Sequence, residues 1–272
     1  MAVTMADISK LRTMTGAGMM DCKNALIEAE NDFEKAVEII RKKGQAVAAK
    51  RSDREASEGC VLAAADNGFA AIIALKCETD FVAKNADFIA LTQSILDAAM
   101  KAKASSTEEV AAITIDGRSI ADLVTERSGI TGEKMELDYY EFVKGGSVVS
   151  YIHPGNKLAT IVAFEEANVE YQVARDIAMQ AAAMNPVSLD RTSVPEKVIQ
   201  QELEIGRDKA RQEGKPEAML DRIAEGRLNK FFQESTLVEQ AFIKDGKITV
   251  ADYLKANKAT AIAFKRVTLN QE

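Results

Sequence analysis

The sequence has one histidine, His153, and no tryptophan. Its three cysteines, Cys22, Cys60 and Cys77, are too few and too scattered for a disulfide framework. With no C-x-x-C pair and no clustered histidine they offer no zinc site, and they read as small buried hydrophobes of a reducing compartment. No G-x-x-x-x-G-K-[ST] loop, G-x-G-x-x-G turn, H-E-x-x-H or G-x-S-x-G is present, so the standard motifs give no enzyme, no cofactor and no metal. The longest apolar run, Phe69 to Leu75, has seven residues, where a membrane-spanning helix needs about 20. The opening MAVTMADISK lacks a basic stretch followed by an apolar one, so the expectation is a cytoplasmic chain without membrane or targeting segment. Positive charge is in deficit: 35 Lys and Arg stand against 42 Asp and Glu, a net charge of −7. That balance disfavours direct binding of nucleic acid.

What is present is enough for two domains of ordinary size, 272 residues with 47% hydrophobic composition. To about Arg54 the spacing predicts three helices. Ile8 and Leu11 form one apolar stripe, Met19, Cys22, Ala25, Leu26 and Ala29 a second, and Phe33, Ala36, Val37 and Ile40 a third. Thr15-Gly16-Ala17-Gly18 reads as a helix connection, with a phosphate cradle as the sharper alternative, and Asn31-Asp32 as a turn and cap. This segment carries ten basic and eight acidic residues, net +2, leaving −9 for the rest. Arg41, Lys42, Lys43, Lys50, Arg51 and Arg54 supply most of the excess. They are either a solvated helix end and linker or a means of steering onto an acidic partner.

Beyond residue 55 the chain contains its own copy. Phe69 to Leu75 aligns with Leu158 to Phe164 at an offset of 89, and both are strand-like. The same offset brings Asp87 onto Asp176, each opening a helix that runs to about Met100 or Met184. Candidate strands Gly59 to Ala65 and Ser147 to Ile152 precede them through turns containing Asp66-Asn67-Gly68 and Pro154-Gly155-Asn156. Further on, Ile115-Asp116-Gly117-Arg118 resembles Lys244-Asp245-Gly246-Lys247, each followed by a short helix. Late strands, Met135 to Val143 and Ala261 to Leu269, would complete small antiparallel sheets. The fold class expected is thus α+β.

The offset grows by about 40 between the early and late pairs, which predicts an insertion in the second copy. Glu196 to Lys230 carries eight acidic and eight basic residues. Ile199, Leu203, Gly206 and Ala210 make a narrow stripe, repeated by Met219, Ile223 and Gly226, with Gly214-Lys215-Pro216 as a stop and restart. The pattern predicts an antiparallel helical hairpin in which Gly206 and Gly226 let the helices approach. It is either a solvated arm or a surface that leans on another subunit or partner.

Function is best sought where one copy breaks the shared pattern. Cys77-Glu78-Thr79-Asp80-Phe81-Val82-Ala83-Lys84-Asn85 in the first half faces Glu166 to Ala174 in the second, so Asp80 and Phe81 stand against Val169 and Glu170. An acidic residue beside a large aromatic at a strand-to-helix connection is either a surface wedge or a Phe buried under the helix with Asp80 as its cap.

Leu11-Arg12-Thr13-Met14-Thr15-Gly16-Ala17-Gly18-Met19-Met20-Asp21-Cys22-Lys23-Asn24-Ala25-Leu26, together with Cys77 to Lys84, closely resembles the two signatures of the bacterial elongation factor Ts family. The likeness runs on through Ser150-Tyr151-Ile152-His153 and the hairpin to the end. One departure is Ala74-Leu75-Lys76, where many members carry Glu and Asn at the first and third positions.

The resemblance implies a guanine-nucleotide exchange factor for the GTPase EF-Tu, without covalent chemistry. It implies a ubiquitin-associated-like domain over 1–54, a core subdomain over 55–145, and a second over 146–272 with the hairpin at about 190–232. By the same likeness Thr79, Asp80, Phe81 and Val82 would enter the GTPase domain near its magnesium site. Arg12, Met19, Met20, Lys23, Lys84 and His153 would contact the partner, and the hairpin would serve a homodimer or a 2:2 complex with EF-Tu. Two alternatives stand beside this reading: an adaptor that binds a protein through its small helical domain, and an enzyme pairing Asp80 or Glu78 with His153.

Overall fold

The computed structural model describes residues 3–270. The chain begins with α1 (Met5–Thr15), α2 (Met19–Glu28) and α3 (Phe33–Lys50), each with a local reason to start or stop. Thr4 and Asp7 form a capping box at α1, and Gly16 ends that helix in the left-handed conformation at φ +71°, which glycine adopts without steric cost. Asp32 caps α3 through the Lys35 amide. Ile8, Leu11, Cys22, Ala25, Leu26 and Ala36 close the core of this bundle.

The hairpin β1 (Glu58–Asp66) and β2 (Phe69–Cys77) follows, then α4 (Asp80–Ala83), α5 (Ala86–Ala102) and α6 (Thr107–Ala112). A ribbon of β3 (Thr114–Ile115) and β4 (Arg118–Ser119) leads into α7 (Ile120–Thr131) and β5 (Glu136–Lys144). The second copy comprises β6 (Ser147–Ile152), β7 (Leu158–Phe164) and α8 (Tyr171–Met184). Next come α9 (Glu196–Gln212) and α10 (Leu220–Ser235) of the hairpin, and then β8 (Ala241–Phe242), β9 (Asp245–Thr249), α11 (Val250–Ala256) and β10 (Ala261–Thr268). The two sheets have equivalent orders, β1-β2-β5 and β6-β7-β10, each placing the early hairpin's second strand in the middle. Helices followed by small antiparallel sheets make this an α+β chain, as the repeat pattern leads one to expect.

Two compact units divide the chain. One holds residues up to Leu62, Ile73–Glu141 and those from Leu269; the other holds Ala63–Ile72 and Phe142–Thr268. In the second, α8 lies on β6 and β7, burying Val173, Ile177 and Ala181 with Val162 and Phe164, while the buried Thr160 hydroxyl donates to the Ala178 carbonyl at 2.8 Å. In the first, the Tyr140 hydroxyl of β5 donates to the Ala104 carbonyl just after α5. All three cysteines are buried and none is in a disulfide.

The structure corrects several details. Gly206 does face Ala224 closely, a Cβ there lying 3.0 Å from the Ala224 Cα, but Gly226 has open space around it. The buried side of α10 is Leu220, Ala224 and Phe232, and Met219 is exposed, because a short 3-10 turn at Glu217–Met219 rotates the helix start. In the late ribbons, Asp116 and Gly117 make a left-handed turn, whereas in the second copy Phe242 pairs with Asp245 and the turn falls on Ile243 and Lys244. Finally, α8 starts at Tyr171, a turn and a half before the Asp176 start that the alignment suggests.

Candidate functional site

That early start of α8 marks where the copies diverge. In the second copy the Glu170 carboxylate caps the amides of Gln172 and Val173, and one helix runs on unbroken. In the first, Thr79 caps the single turn α4 through the Val82 amide at 3.4 Å, and Asn85 then caps a new helix through Asp87 and Phe88. At the offset of 89, Asn85 corresponds to Ala174, which has no side-chain oxygen to restart a helix. The extra cap leaves a one-turn protrusion between β2 and α5.

Phe81 stands on that turn with 83% of its surface exposed. Burying a side chain of this size ordinarily stabilises a fold by roughly 1.5–3 kcal/mol, so its exposure is unspent contact area. The alternative in which Phe81 is buried and Asp80 caps the helix is not what occurs: Thr79 is the cap, and Asp80 pairs with Lys84 at 2.7 Å on the surface. This hydrogen-bonded pair raises the Lys84 ammonium above its ordinary range, although an exposed i,i+4 pair contributes little to stability. Val82 is half-buried and Ala83 buried, seating the turn on its inner side.

Two glutamates hold the base of the turn. Glu133, between α7 and β5, accepts through Oε2 from the amides of Glu78 at 3.1 Å and Thr79 at 3.0 Å, and through Oε1 from the Thr79 hydroxyl at 2.5 Å. Glu78 returns the contact, its Oε1 accepting from the Lys134 amide at 2.7 Å. Its Oε2 takes Arg54 at 3.0 Å, and Arg51 lies 3.8 Å away. The Lys134 amide foremost, and then the arginines against the opposing effect of burial, hold the Glu78 carboxyl below its usual range. Beneath the turn the Cys77 thiol donates to the Thr79 carbonyl. Burial, reinforced by the Glu133 charge, pushes this thiol up to about 12.

A second exposed group gathers at the α1–α2 connection in the same unit. Arg12, Met19, Met20 and Lys23 are all exposed there, Met20 at 63%, over a core of Leu11, Cys22 and Leu26. The connection is a helix linkage: the Gly16 amide bonds the Arg12 carbonyl, and the Thr15 hydroxyl bonds Leu11 and receives the Ala17 amide. Beside it lies a cleft of about 240 Å³ lined by Met14, Thr15, Arg41, Gly44, Glu126 and Ile130, among others. Its charges are matched. Arg41 and Arg118 both engage Glu126, and Lys43 engages Asp21. Of the six cations that give the N-terminal segment its excess, five are thus in ion pairs, Lys42 with Glu38 included.

His153 belongs to the second unit. It is exposed just after β6, its amide donating to the Leu158 carbonyl at 2.8 Å and its Nδ1 lying 3.0 Å from the Tyr151 hydroxyl. Among the described residues no group of three or more His, Cys, Asp or Glu is placed to hold a metal ion, and no helix is long and apolar enough to cross a membrane. Glu133 is the residue that sequence reasoning missed. It stands alone after Gly132, and the groups it binds are 54 and 55 positions away, so no local spacing announces it.

Residues 78–271 match the family model described as Elongation factor TS. The elongation factor Ts of Porphyromonas gingivalis strain ATCC 33277 is 63% identical over 275 residues, and that of Azobacteroides pseudotrichonymphae is 56% identical over 274, with both chains covered in full in each case. The elongation factor Ts of Bacteroides fragilis strain ATCC 25285 is 47% identical over 331 residues, again with full coverage of both.

Proposed function

The chain belongs to the elongation factor Ts family, a family of translation elongation factors, and from that premise we propose that it is a guanine-nucleotide exchange factor acting on EF-Tu in the cytoplasm. The observation that carries the reading is Phe81, a large aromatic held out into solvent beside Asp80 on a capped turn that the second copy lacks. A rigid apolar side chain next to a carboxylate is suited to push packed helices apart and to disturb a bound cation. Near the magnesium of a GTPase such a wedge removes charge screening from the nucleotide diphosphate. GDP then leaves faster.

Arg12, Met19, Met20 and Lys23 supply a second contact, their exposed thioethers adapting to a partner surface, while Lys84 and His153 add polar contacts. No bond is made or broken by the factor. It binds the nucleotide-free GTPase more tightly than the GDP form, and linkage requires that GDP weaken its binding by the same factor. The excess of GTP over GDP sets the direction of the cycle.

The test is release of a fluorescent GDP analogue from EF-Tu, followed by stopped flow with excess unlabelled nucleotide. Acceleration by catalytic amounts of the chain is the expected result. Binding without acceleration would instead leave an adaptor that has kept the fold and lost the activity.

A further inference from the structure

We propose that Glu133 is a positioning residue for the exchange turn, setting where Phe81 points without itself touching the partner; this rests on the exchange reading above. A four-residue helix is far below the length at which helices persist alone, so α4 must be held by its surroundings. Its own cap bond is long, 3.4 Å from the Val82 amide to the Thr79 hydroxyl. What orients that hydroxyl is Glu133. By accepting the hydroxyl proton through Oε1 at 2.5 Å, the carboxylate turns the oxygen lone pairs toward Val82, and through Oε2 it fixes the two amides that precede the turn. All three bonds are charge-assisted and thus stronger than neutral ones.

The clasp is reciprocal. Glu78, itself fixed by Glu133, accepts the amide of Lys134, the residue next to Glu133. The α7–β5 connection and the base of the turn therefore cannot slide past each other without breaking bonds in both directions. A wedge that must displace packed helices delivers its binding energy to the partner only if it does not yield, and the clasp ties the start of α4 to an element more than fifty residues away in sequence. The cation at Arg54 extends it to the chain that follows α3, through Glu78. Stiffness here is a property of the whole carboxylate pair, with Glu133 as the member that reaches the cap.

The test compares the parent chain with Glu133→Ala and Glu133→Gln in three measurements: amide hydrogen exchange of the free chain resolved at Glu78, Thr79 and Val82, the affinity for nucleotide-free EF-Tu, and the maximal rate of stimulated GDP release. In Glu133→Ala the three amides are expected to lose protection by about tenfold or more, the factor that one lost charge-assisted bond carries. Maximal release should fall by a similar factor while affinity changes less. Glu133→Gln keeps the volume and one carbonyl oxygen for the amides of Glu78 and Thr79, so it should fold, retain most of the protection at those two and recover part of the release rate, while Val82, whose capping hydroxyl loses its acceptor, stays less protected.

Unchanged protection in Glu133→Ala would overturn the proposal. So would a Gln variant that is fully protected yet as slow as Ala, because the carboxylate would then act on the partner directly. A parent chain that fails to accelerate release at all would sink the exchange reading and this role with it. That failure is distinguishable, since protection is measured on the chain alone.

Discussion

Gly44 of α3 and Gly129 of α7 touch backbone to backbone, and the contact is one-sided. A Cβ added to Gly129 would run into the Gly44 Cα, far inside van der Waals contact, whereas one added to Gly44 would find the Gly129 Cα at an ordinary 3.6 Å. Both positions are inside helices, where replacing glycine by alanine alone favours folding by about 1 kcal/mol. The two alanine variants should therefore move in opposite directions. Gly44→Ala is expected to be neutral or slightly stabilising. Gly129→Ala should lose about 1–3 kcal/mol to overpacking, seen as a lower Tm in thermal unfolding. Equal Tm values for the two variants would remove the close crossing as an account of these glycines.

Replacing Asp80 and Phe81 together by alanine should separate activity from folding. Phe81 is exposed and Asp80 pairs with Lys84 on the surface, so Tm is expected within about 1–2 °C of the parent, in line with surface substitutions. Stimulated GDP release should fall about tenfold or more, as for loss of a central aromatic anchor. A folded double variant with parent-like release would remove the wedge mechanism.

Deleting residues 195–230 should weaken assembly with EF-Tu more than folding. The root of the hairpin lies outside the deleted stretch: the Gln240 side-chain amide donates to the carbonyls of Met184 and Glu234, Val187 bonds Ser235, and Leu237 bonds Ser188. Light scattering after size-exclusion chromatography reads the outcome. Identical complexes before and after deletion would assign the hairpin no role in assembly.

Asp176 gives the second unit an acid-sensitive stability. It is buried on α8, which by itself would raise its carboxyl, but Lys244, Gln172 and Tyr253 donate to it and together hold it below the ordinary value of 3.8. A depressed carboxyl contributes stability that is whole above its unfolded pKa and is lost as pH falls through the folded one. Asp176→Asn is therefore expected to unfold more easily at pH 7, by about 1–3 kcal/mol for a broken charged hydrogen-bond set. The gap from the parent should narrow below about pH 4, where the unfolded carboxyl protonates. A gap that stays constant from pH 7 to pH 3 in denaturant titrations would refute the linkage.

Much of this fold was legible because its signals are local and occur twice. Phe69 to Leu75 is a continuous apolar run and Leu158 to Phe164 is broken only by Thr160; only a fully covered strand can bury such segments, and both are central strands with buried side chains throughout. Asn31-Asp32 carries its own turn and cap chemistry. What escaped the sequence depends on distance or on small phase differences. One 3-10 turn before α10 moved the hairpin seam from Met219 and Gly226 to Leu220 and Ala224. Glu170 and Asn85 decide between one helix and two, yet both are ordinary polar residues in a polar stretch. Burial of Phe81 or its exposure was undecidable from spacing, because Thr79 and Asp80 can both cap a helix, and the carboxylate that binds the Thr79 hydroxyl, Glu133, lies more than fifty residues away.

The thiol beneath the turn has a practical consequence. Cys77 is buried and held protonated far above neutral pH, and Cys22 and Cys60 are buried too. Alkylating reagents attack the thiolate, so the folded chain presents them with no ready target. A cysteine introduced by Phe81→Cys or at the exposed Met20 would be the one accessible thiol, and a thiol-directed fluorophore would label that single site without removing any native cysteine.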